Sequence, residues 1–207
     1  MIYIDRTAAG RALGAELDHL RASDPLVLGL PRGGVPVAAG VCEIIGGQLD
    51  ILLVRKLGVP WQPELAMGAI GEDDTRVLNR DVLEHMTIDP QEFAAIERAE
   101  RRELERRRTV WRGARAPIPL TDRTVVLVDD GMATGATVAV ACRVARMRAP
   151  ARLVVAVPVS SGEAVERVLT ECDELICPAV PAGLGGVGTA YQDFHQLADD
   201  EVTALLG

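Results

Sequence analysis

Aromatic side chains are scarce in this 207-residue chain, at 3% of positions, so its core has to be assembled from Val, Leu, Ala and Ile. Such a core suits a buried parallel sheet, whose strands read as unbroken β-branched runs. Cysteines are few. Cys42, Cys142, Cys172 and Cys177 form no CxxC pair and match no paired histidine spacing, which argues against structural zinc and for buried thiols in a reducing compartment. Long uncharged apolar runs are lacking too, so a membrane span is not expected. Basic residues are outnumbered, 22 against 30, and the net charge of −8 speaks against broad binding to nucleic acid or anionic membranes. A small anionic ligand would need a local cluster of donors against that background. Asp5 and Arg6 interrupt the N-terminal stretch at once, which argues against an ordinary signal peptide and for a cytoplasmic protein.

What is present is a strand–helix alternation. With 48% hydrophobic and 25% charged residues, the chain is composed like an ordinary folded domain and is long enough for a substantial core. Arg6–Arg21 reads as an amphipathic helix with Ala9, Leu13, Leu17 and Leu20 on one stripe. Leu26–Leu30 reads as a strand, Val35–Ile45 as a small-residue helix with Pro36 in its first turn, and Leu49–Val54 as the next strand. Leu65–Leu78 fits two short strands around the acidic turn Gly71–Asp74. Asp89, Pro90 and Glu92 open a long helix. Leu153–Val159 and Glu174–Cys177 are further strands, with a capped helix start at Ser160 and Glu163 between them. The expectation is an α/β fold whose parallel sheet is flanked by helices on both faces. One domain covers residues 1–207, with a helical insertion at about 89–112 and a C-terminal tail or hood at about 178–207.

The most informative segment is Val125–Thr137, VVLVDDGMATGAT: an apolar run, two adjacent acids, then a loop of small and hydroxyl residues leading into the helix-compatible Val138–Met147. A strand that turns sharply into a helix N-terminus presents unpaired N–H groups on which a phosphate can sit. Gly131 and Gly135 allow close backbone approach, and Thr134 and Thr137 add hydroxyl donors. Asp129 and Asp130 end the strand at its carboxyl edge, where ligands bind in open α/β sheets. Carboxylates repel phosphate but accept hydrogen bonds from sugar hydroxyls, so the pattern points to one ligand carrying both a ribose and a phosphate. The plainer alternative, acids capping a helix, leaves the second acid idle. A Walker A loop is excluded, because GxxxxGK[ST] is absent.

Two further segments carry cations to strand ends. In Leu30–Gly34, LPRGG, Gly33 and Gly34 let the backbone wrap an anion while Arg32 neutralises it; a glycine turn with a surface arginine is the alternative. In Val54–Gly58, VRKLG, Arg55 and Lys56 sit at the expected end of the second core strand, where alternation sends them to opposite sides; a pair of solvated cations is the alternative. The helix opened by Asp89 is rich in Glu and Arg. Glu97–Arg101 and Glu103–Arg107 are acid-first i,i+4 pairs, and Arg106, Arg107 and Arg108 lie toward its C-terminal end. Interleaved glutamates cancel most of its field, so a solvated helix or an oligomer contact is preferred over a nucleic-acid surface.

The acid-pair segment resembles the phosphoribosyl diphosphate (PRPP) motif of the type I phosphoribosyltransferases. LPRGG resembles their diphosphate loop, which often carries a cis peptide, and VRKLG resembles the RKxG segment of adenine phosphoribosyltransferases. With a YxDF-like tail, the likeness to a little-studied group of predicted phosphoribosyltransferases extends over nearly the whole chain. It implies a magnesium-dependent transfer from PRPP to a nitrogenous base, releasing diphosphate. Asp129 and Asp130 would fix the ribose hydroxyls, Thr134, Gly135, Ala136 and Thr137 would grip the 5′-phosphate, and Gly131, Met132 and Ala133 would complete the ribose and 5′-phosphate segment. Arg32, Gly33, Gly34, Arg55 and Lys56 would face the diphosphate, with Arg32 stabilising the departing charge. Magnesium would be held chiefly by diphosphate and water, with no protein metal site.

Where hypoxanthine–guanine enzymes place an aspartate base, this chain has Ala133, as adenine- and uracil-type loops do. Glu64 and Asp193 remain as acid/base candidates by elimination. Resembling proteins carry a flexible catalytic loop in the 89–112 interval and a hood over the base; here Tyr191 and Phe194 either stack the base or anchor the tail. Partners expected are PRPP, a small base or nucleotide, and further copies of the chain in a homo-oligomer, for which a dimer is one form. Ala133 also leaves open a non-catalytic regulator that binds PRPP or a nucleotide.

Overall fold

The computed structural model describes residues 2–207, apart from the side chain of Glu64. The chain opens with α1 (Arg6–Glu16), capped by Asp5 accepting from the Ala8 N–H, and a 3₁₀ segment, Asp18–Ser23. Then come β1 (Leu26–Gly29), α2 (Gly34–Ile45) and β2 (Gln48–Ile51). An antiparallel excursion follows: β3 (Val54–Val59), β4 (Gln62–Gly71), β5 (Arg76–Leu78), then α3 (Arg80–His85) and the long α4 (Pro90–Trp111). The main sheet resumes with β6 (Thr124–Val128), α5 (Ala136–Arg146), β7 (Arg152–Ala156), α6 (Gly162–Leu169) and β8 (Glu174–Ile176). A tail runs through a 3₁₀ turn, Val187–Ala190, to α7 (Asp199–Leu206).

The main sheet is parallel in the order β2-β1-β6-β7-β8. Its central strands are apolar on both faces because both faces are covered. Along β6, Val125 and Leu127 pack with Val138, Ala141 and Val168 of α5 and α6, while Val126 and Val128 pack with Leu13, Val37 and Val41 of α1 and α2. The period-2 alternation of a strand thus serves two cores instead of separating core from water. β1 and β6 are neighbours in register, Leu26 opposite Val125 through Gly29 opposite Val128. Their carboxyl ends therefore deliver LPRGG and the acid pair to the same rim of the sheet.

Several local expectations shift. The helix expected over Arg6–Arg21 leaves α-geometry at Glu16 and tightens into the 3₁₀ segment, which still brings Leu20 into the core beside Leu13 and Leu17. The strand expected over Leu49–Val54 ends at Ile51; Leu52 and Leu53 are buried outside it, and the chain leaves the sheet before VRKLG. Arg55 and Lys56 accordingly lie in β3 of the separate β3-β4-β5 sheet, not at the end of a core strand. Ser161 rather than Ser160 caps α6, accepting from the Ala164 N–H, and α5 begins at Ala136, two residues before Val138. Among the described residues no helix is long and apolar enough to cross a membrane.

The excursion is clamped to the main sheet by Arg112, which follows α4. Its guanidinium donates to both carboxylate oxygens of Asp50 (2.7 and 2.9 Å), to Glu72 (2.7 Å from Nε) and to the Ile51 carbonyl (2.8 Å). The Arg112 side chain is 2% exposed and Glu72 1%, so among the described residues this arginine alone neutralises the Glu72 charge at hydrogen-bonding distance. Removing the cation from such a cluster leaves buried carboxylates uncompensated. Arg112→Met is expected to lower the unfolding free energy by about 3–5 kcal/mol in urea titrations. A loss below about 1 kcal/mol, the range of an exposed pair, would show that the cluster does not hold the excursion in place.

Candidate active site

Val128 ends β6, and Asp129 and Asp130 follow at its carboxyl edge, flanked by the β1–α2 loop. The two segments touch. An ideal Cβ on Gly33 would lie 1.9 Å from Asp130 Oδ2, and one on Gly34 would lie 2.4 Å from the Val128 carbonyl. Gly33 is thus kept small by the Asp130 carboxylate and Gly34 by the backbone at Val128 and Asp129. The loop is tied down by Leu30 N–H donating to the Val128 carbonyl (2.8 Å) and Gly34 N–H to the Leu30 carbonyl (2.9 Å), with a cis peptide between Pro31 and Arg32.

Two carboxylates on consecutive residues repel one another, and burial withholds the water that would stabilise them. Asp129 is held well above the usual carboxylate range, chiefly by burial and then by the Asp130 charge. Asp130 is also raised by burial, but a hydrogen bond from Arg6 opposes the shift. Arg6 Nε donates to Asp130 Oδ2 at 2.9 Å, its Nη1 to the His195 carbonyl at 3.0 Å, and its guanidinium lies 3.8 Å over the Phe194 ring. Nothing in the sequence marked Arg6, because its partner is 124 positions away.

Beyond the acids, the loop divides into scaffold and exposed rim. Met132 is 2% exposed, with its N–H on the Val159 carbonyl and its own carbonyl taken by the Ser161 N–H, so it belongs to the core and not to a ligand surface. Ser161 Oγ donates to the Ala133 carbonyl at 2.7 Å and thereby straps the loop to α6. Gly135 adopts φ +70°, a left-handed turn, and starts α5. Ala133, Thr134 and Thr137 are exposed, Ala136 partly so, while Gly131 and Gly135 are buried.

The cationic residues are spread around two openings. A cavity of about 490 Å³ brings Leu30 and Pro31, Arg55 and Lys56, and Thr137 together with α4. Both members of the RKxG segment line it, although they are consecutive residues of β3. Arg55 is paired with Glu100 of α4 at 2.6 Å. A second cleft, about 470 Å³, is lined by Arg6, Arg32, Gly33, Arg107 and the tail from Phe194 to Leu197. Arg32 is held by that tail: Nη1 donates to the Leu197 carbonyl (2.8 Å) and Nε lies 3.2 Å from Asp199 Oδ1.

The tail packs directly against the acid pair and the two arginines beside it. Tyr191 is 3% exposed and its hydroxyl donates to the Asp130 carbonyl at 2.5 Å, so its ring has no free face for a base; burial raises its pKa and keeps it a donor. Tyr191 stacks on Phe194, centroids 5.1 Å apart, and Phe194 is the member that reaches the cleft. Asp193 lies on the exposed His195 and is held below its usual pKa by that ring. The Glu64 side chain lies outside the described residues. Among the described residues no group of three or more His, Cys, Asp and Glu is placed to hold a metal ion.

Comparison with known proteins shows the family. The phosphoribosyl transferase domain model matches residues 5–193. Two Mycobacterium tuberculosis proteins, from strains CDC 1551 / Oshkosh and H37Rv and provisionally named phosphoribosyl transferases, are each 49% identical over 205 residues, 99% of this chain and 46% of theirs. The chain thus spans about half the length of the curated relatives it matches. A Thermus thermophilus protein of solved structure superposes with TM-score 0.92 at 42% identity, over 100% of this chain and 98% of that one. A hypoxanthine-guanine phosphoribosyltransferase of Bacillus anthracis shares the fold alone, with TM-score 0.52 at 13% identity over 87% and 84% of the two chains. The protein belongs to the phosphoribosyl transferase domain family.

The acid pair has a thermodynamic signature. The folded chain keeps the Asp129 proton to higher pH than the unfolded chain does, so the contribution of Asp129 to stability falls as pH rises above the ordinary carboxylate range, about 4. Asp129→Asn removes this dependence while retaining the acceptor for the Asp130 N–H. The variant is expected to melt above wild type at pH 7, with the gap closing as pH falls to about 4 and below, where Asp129 becomes neutral in the folded and the unfolded chain alike. A Tm difference that does not change with pH would contradict a buried, charge-strained Asp129.

Proposed function

We propose that the protein is a PRPP-dependent phosphoribosyltransferase acting on a nitrogenous base. The observation that carries the reading is the contact between the acid pair and the LPRGG loop, which joins an acceptor-rich edge for sugar hydroxyls to a cation-bearing loop for an anion. The nitrogen lone pair of the base forms the new bond to the anomeric carbon, and the bond from that carbon to diphosphate breaks, its electron pair leaving with diphosphate. Asp129 and Asp130 accept from the ribose hydroxyls. Thr134, Ala136 and Thr137, at the start of α5, take the 5′-phosphate on hydroxyl and backbone donors. Arg32, Arg55 and Lys56 stabilise the charge that develops on the leaving group.

Magnesium fits as an ion carried on the diphosphate, neutralising part of its charge, since such ions keep most of their water and need no protein cage. With Ala133 in the loop, the base proton passes to water or to diphosphate, and most of the rate comes from positioning and electrostatics.

The same Ala133 favours one other reading, a regulator that binds PRPP or a nucleotide without turnover. Diphosphate release from Mg·PRPP across a panel of purine, pyrimidine and pyridine bases separates the two: release with one base supports the transferase, and tight PRPP binding with no release supports the regulator. For either, Asp129→Asn/Asp130→Asn is expected to weaken PRPP by roughly 3–6 kcal/mol, the loss of two charge-assisted hydrogen bonds. Unchanged calorimetric affinity in a folded double variant would remove the acid pair from the site.

A further inference from the structure

We propose that Arg107 of α4 is a further diphosphate ligand, an inference that rests on the PRPP reading above. One stripe of α4 faces the larger cavity: Ile96, Glu100, Leu104, Arg107 and Trp111, at the three- and four-residue steps of a helix face. Among the described residues Arg107 is the one common to the linings of that cavity and of the cleft formed by Arg6, Arg32 and Gly33. It therefore faces the LPRGG loop from both of its sides.

The charges nearby leave this guanidinium available to an anion. Glu100 shares the stripe but is paired with Arg55. Arg107 Nε donates to Glu103 at 2.7 Å, and Glu103 lines neither opening, so the carboxylate holds the arginine from the side away from the ligand. Arg106 and Arg108 bond to Glu103 and Glu105 on the exposed side of the helix and line neither opening.

The position is fixed rather than mobile. Leu104 and Trp111 pack in a core cluster with Val35, Ile51 and Leu53, and the Arg107 guanidinium lies 5.5 Å over the Trp111 ring. Trp111 Nε1 donates to Asp199 Oδ1 at 2.8 Å, and the same oxygen lies 3.2 Å from Arg32 Nε. Arg32 and Arg107 are thus aimed by one connected frame. A planar guanidinium can give two N–H bonds to adjacent phosphate oxygens, which suits a diphosphate in a chain of net charge −8. The cation comes from a docked helix instead of a segment that must close.

Calorimetry with Mg·PRPP, magnesium diphosphate and ribose 5-phosphate on wild type, Arg107→Gln, Arg107→Lys and Arg106→Gln tests this. Arg107→Gln is expected to weaken PRPP and diphosphate roughly 10–100-fold and to leave ribose 5-phosphate unchanged. Arg107→Lys, which keeps the charge, is expected to recover part of the loss. Arg106→Gln, which disturbs the same Glu103 from the solvent side, is expected to bind as wild type. Undiminished diphosphate affinity in Arg107→Gln overturns the proposal, and so does an equal loss for ribose 5-phosphate. A thermal melt accompanies each variant; if Arg107→Gln does not fold, an Arg107→Lys variant that folds and binds diphosphate no better than it binds ribose 5-phosphate also counts against the role. Wild type that takes up neither PRPP nor diphosphate at millimolar concentration refutes the PRPP reading itself, an outcome distinct from a wild type that binds and an Arg107 variant that binds equally well.

Discussion

The site depends on how two carboxylates are kept side by side at the end of a buried strand. Asp129 and Asp130 are each disfavoured by burial, and Asp129 also by the Asp130 charge. The Arg6 guanidinium supplies the compensation, and most of the surrounding architecture aims it. The capped start of α1 sets its backbone, the Phe194 ring supports one face, the His195 carbonyl fixes the fork, and Tyr191 holds the backbone beneath Asp130. Gly33 of LPRGG follows from the same crowding, since Asp130 occupies the space that its side chain would need.

A second cluster carries the same logic away from the rim. Arg112 joins Asp50 on β2 to Glu72 on the β4–β5 turn, so the antiparallel excursion is fastened to the parallel sheet by charge as well as by packing. Because both carboxylates lie on elements far apart in sequence, the cluster fixes how the β3-β4-β5 sheet and α4 sit against the cavity. The orientation of α4, and with it the stripe from Ile96 to Trp111, is set by that fastening together with the packing of Phe93, Ile96, Leu104 and Trp111.

Features encoded within a few residues could be read from the sequence. The β6–loop–α5 unit and the β1–α2 loop each carry their geometry in one contiguous segment of apolar run, acid or arginine, and glycine, and the structure brings them to one rim. What escaped reading is non-local. Arg6 meets Asp130 across 124 positions, and Trp111 meets Asp199 across 88, and no periodicity connects such pairs. The run ILLV at 51–54 hid a boundary, because Leu52 and Leu53 are buried whether or not the strand continues. Tyr191 and Phe194 are near neighbours with opposite fates, one beneath the acid pair and one at the cleft, a difference set by the path of the tail and invisible in composition.

The wiring of the tail into the acid pair also has a consequence in time. Tyr191 lies 61 positions after Asp130, so during synthesis the strand, its acids and the loop that follows them leave the ribosome well before Tyr191 does. At about 5–20 residues per second this interval lasts roughly 3–12 seconds. Through it the nascent chain carries both acids with Arg6 already made and Tyr191, Phe194 and Asp199 still to come. The contacts that Tyr191, Phe194 and Asp199 make with Asp130, Arg6 and Arg32 can form only after the chain has been made through Asp199.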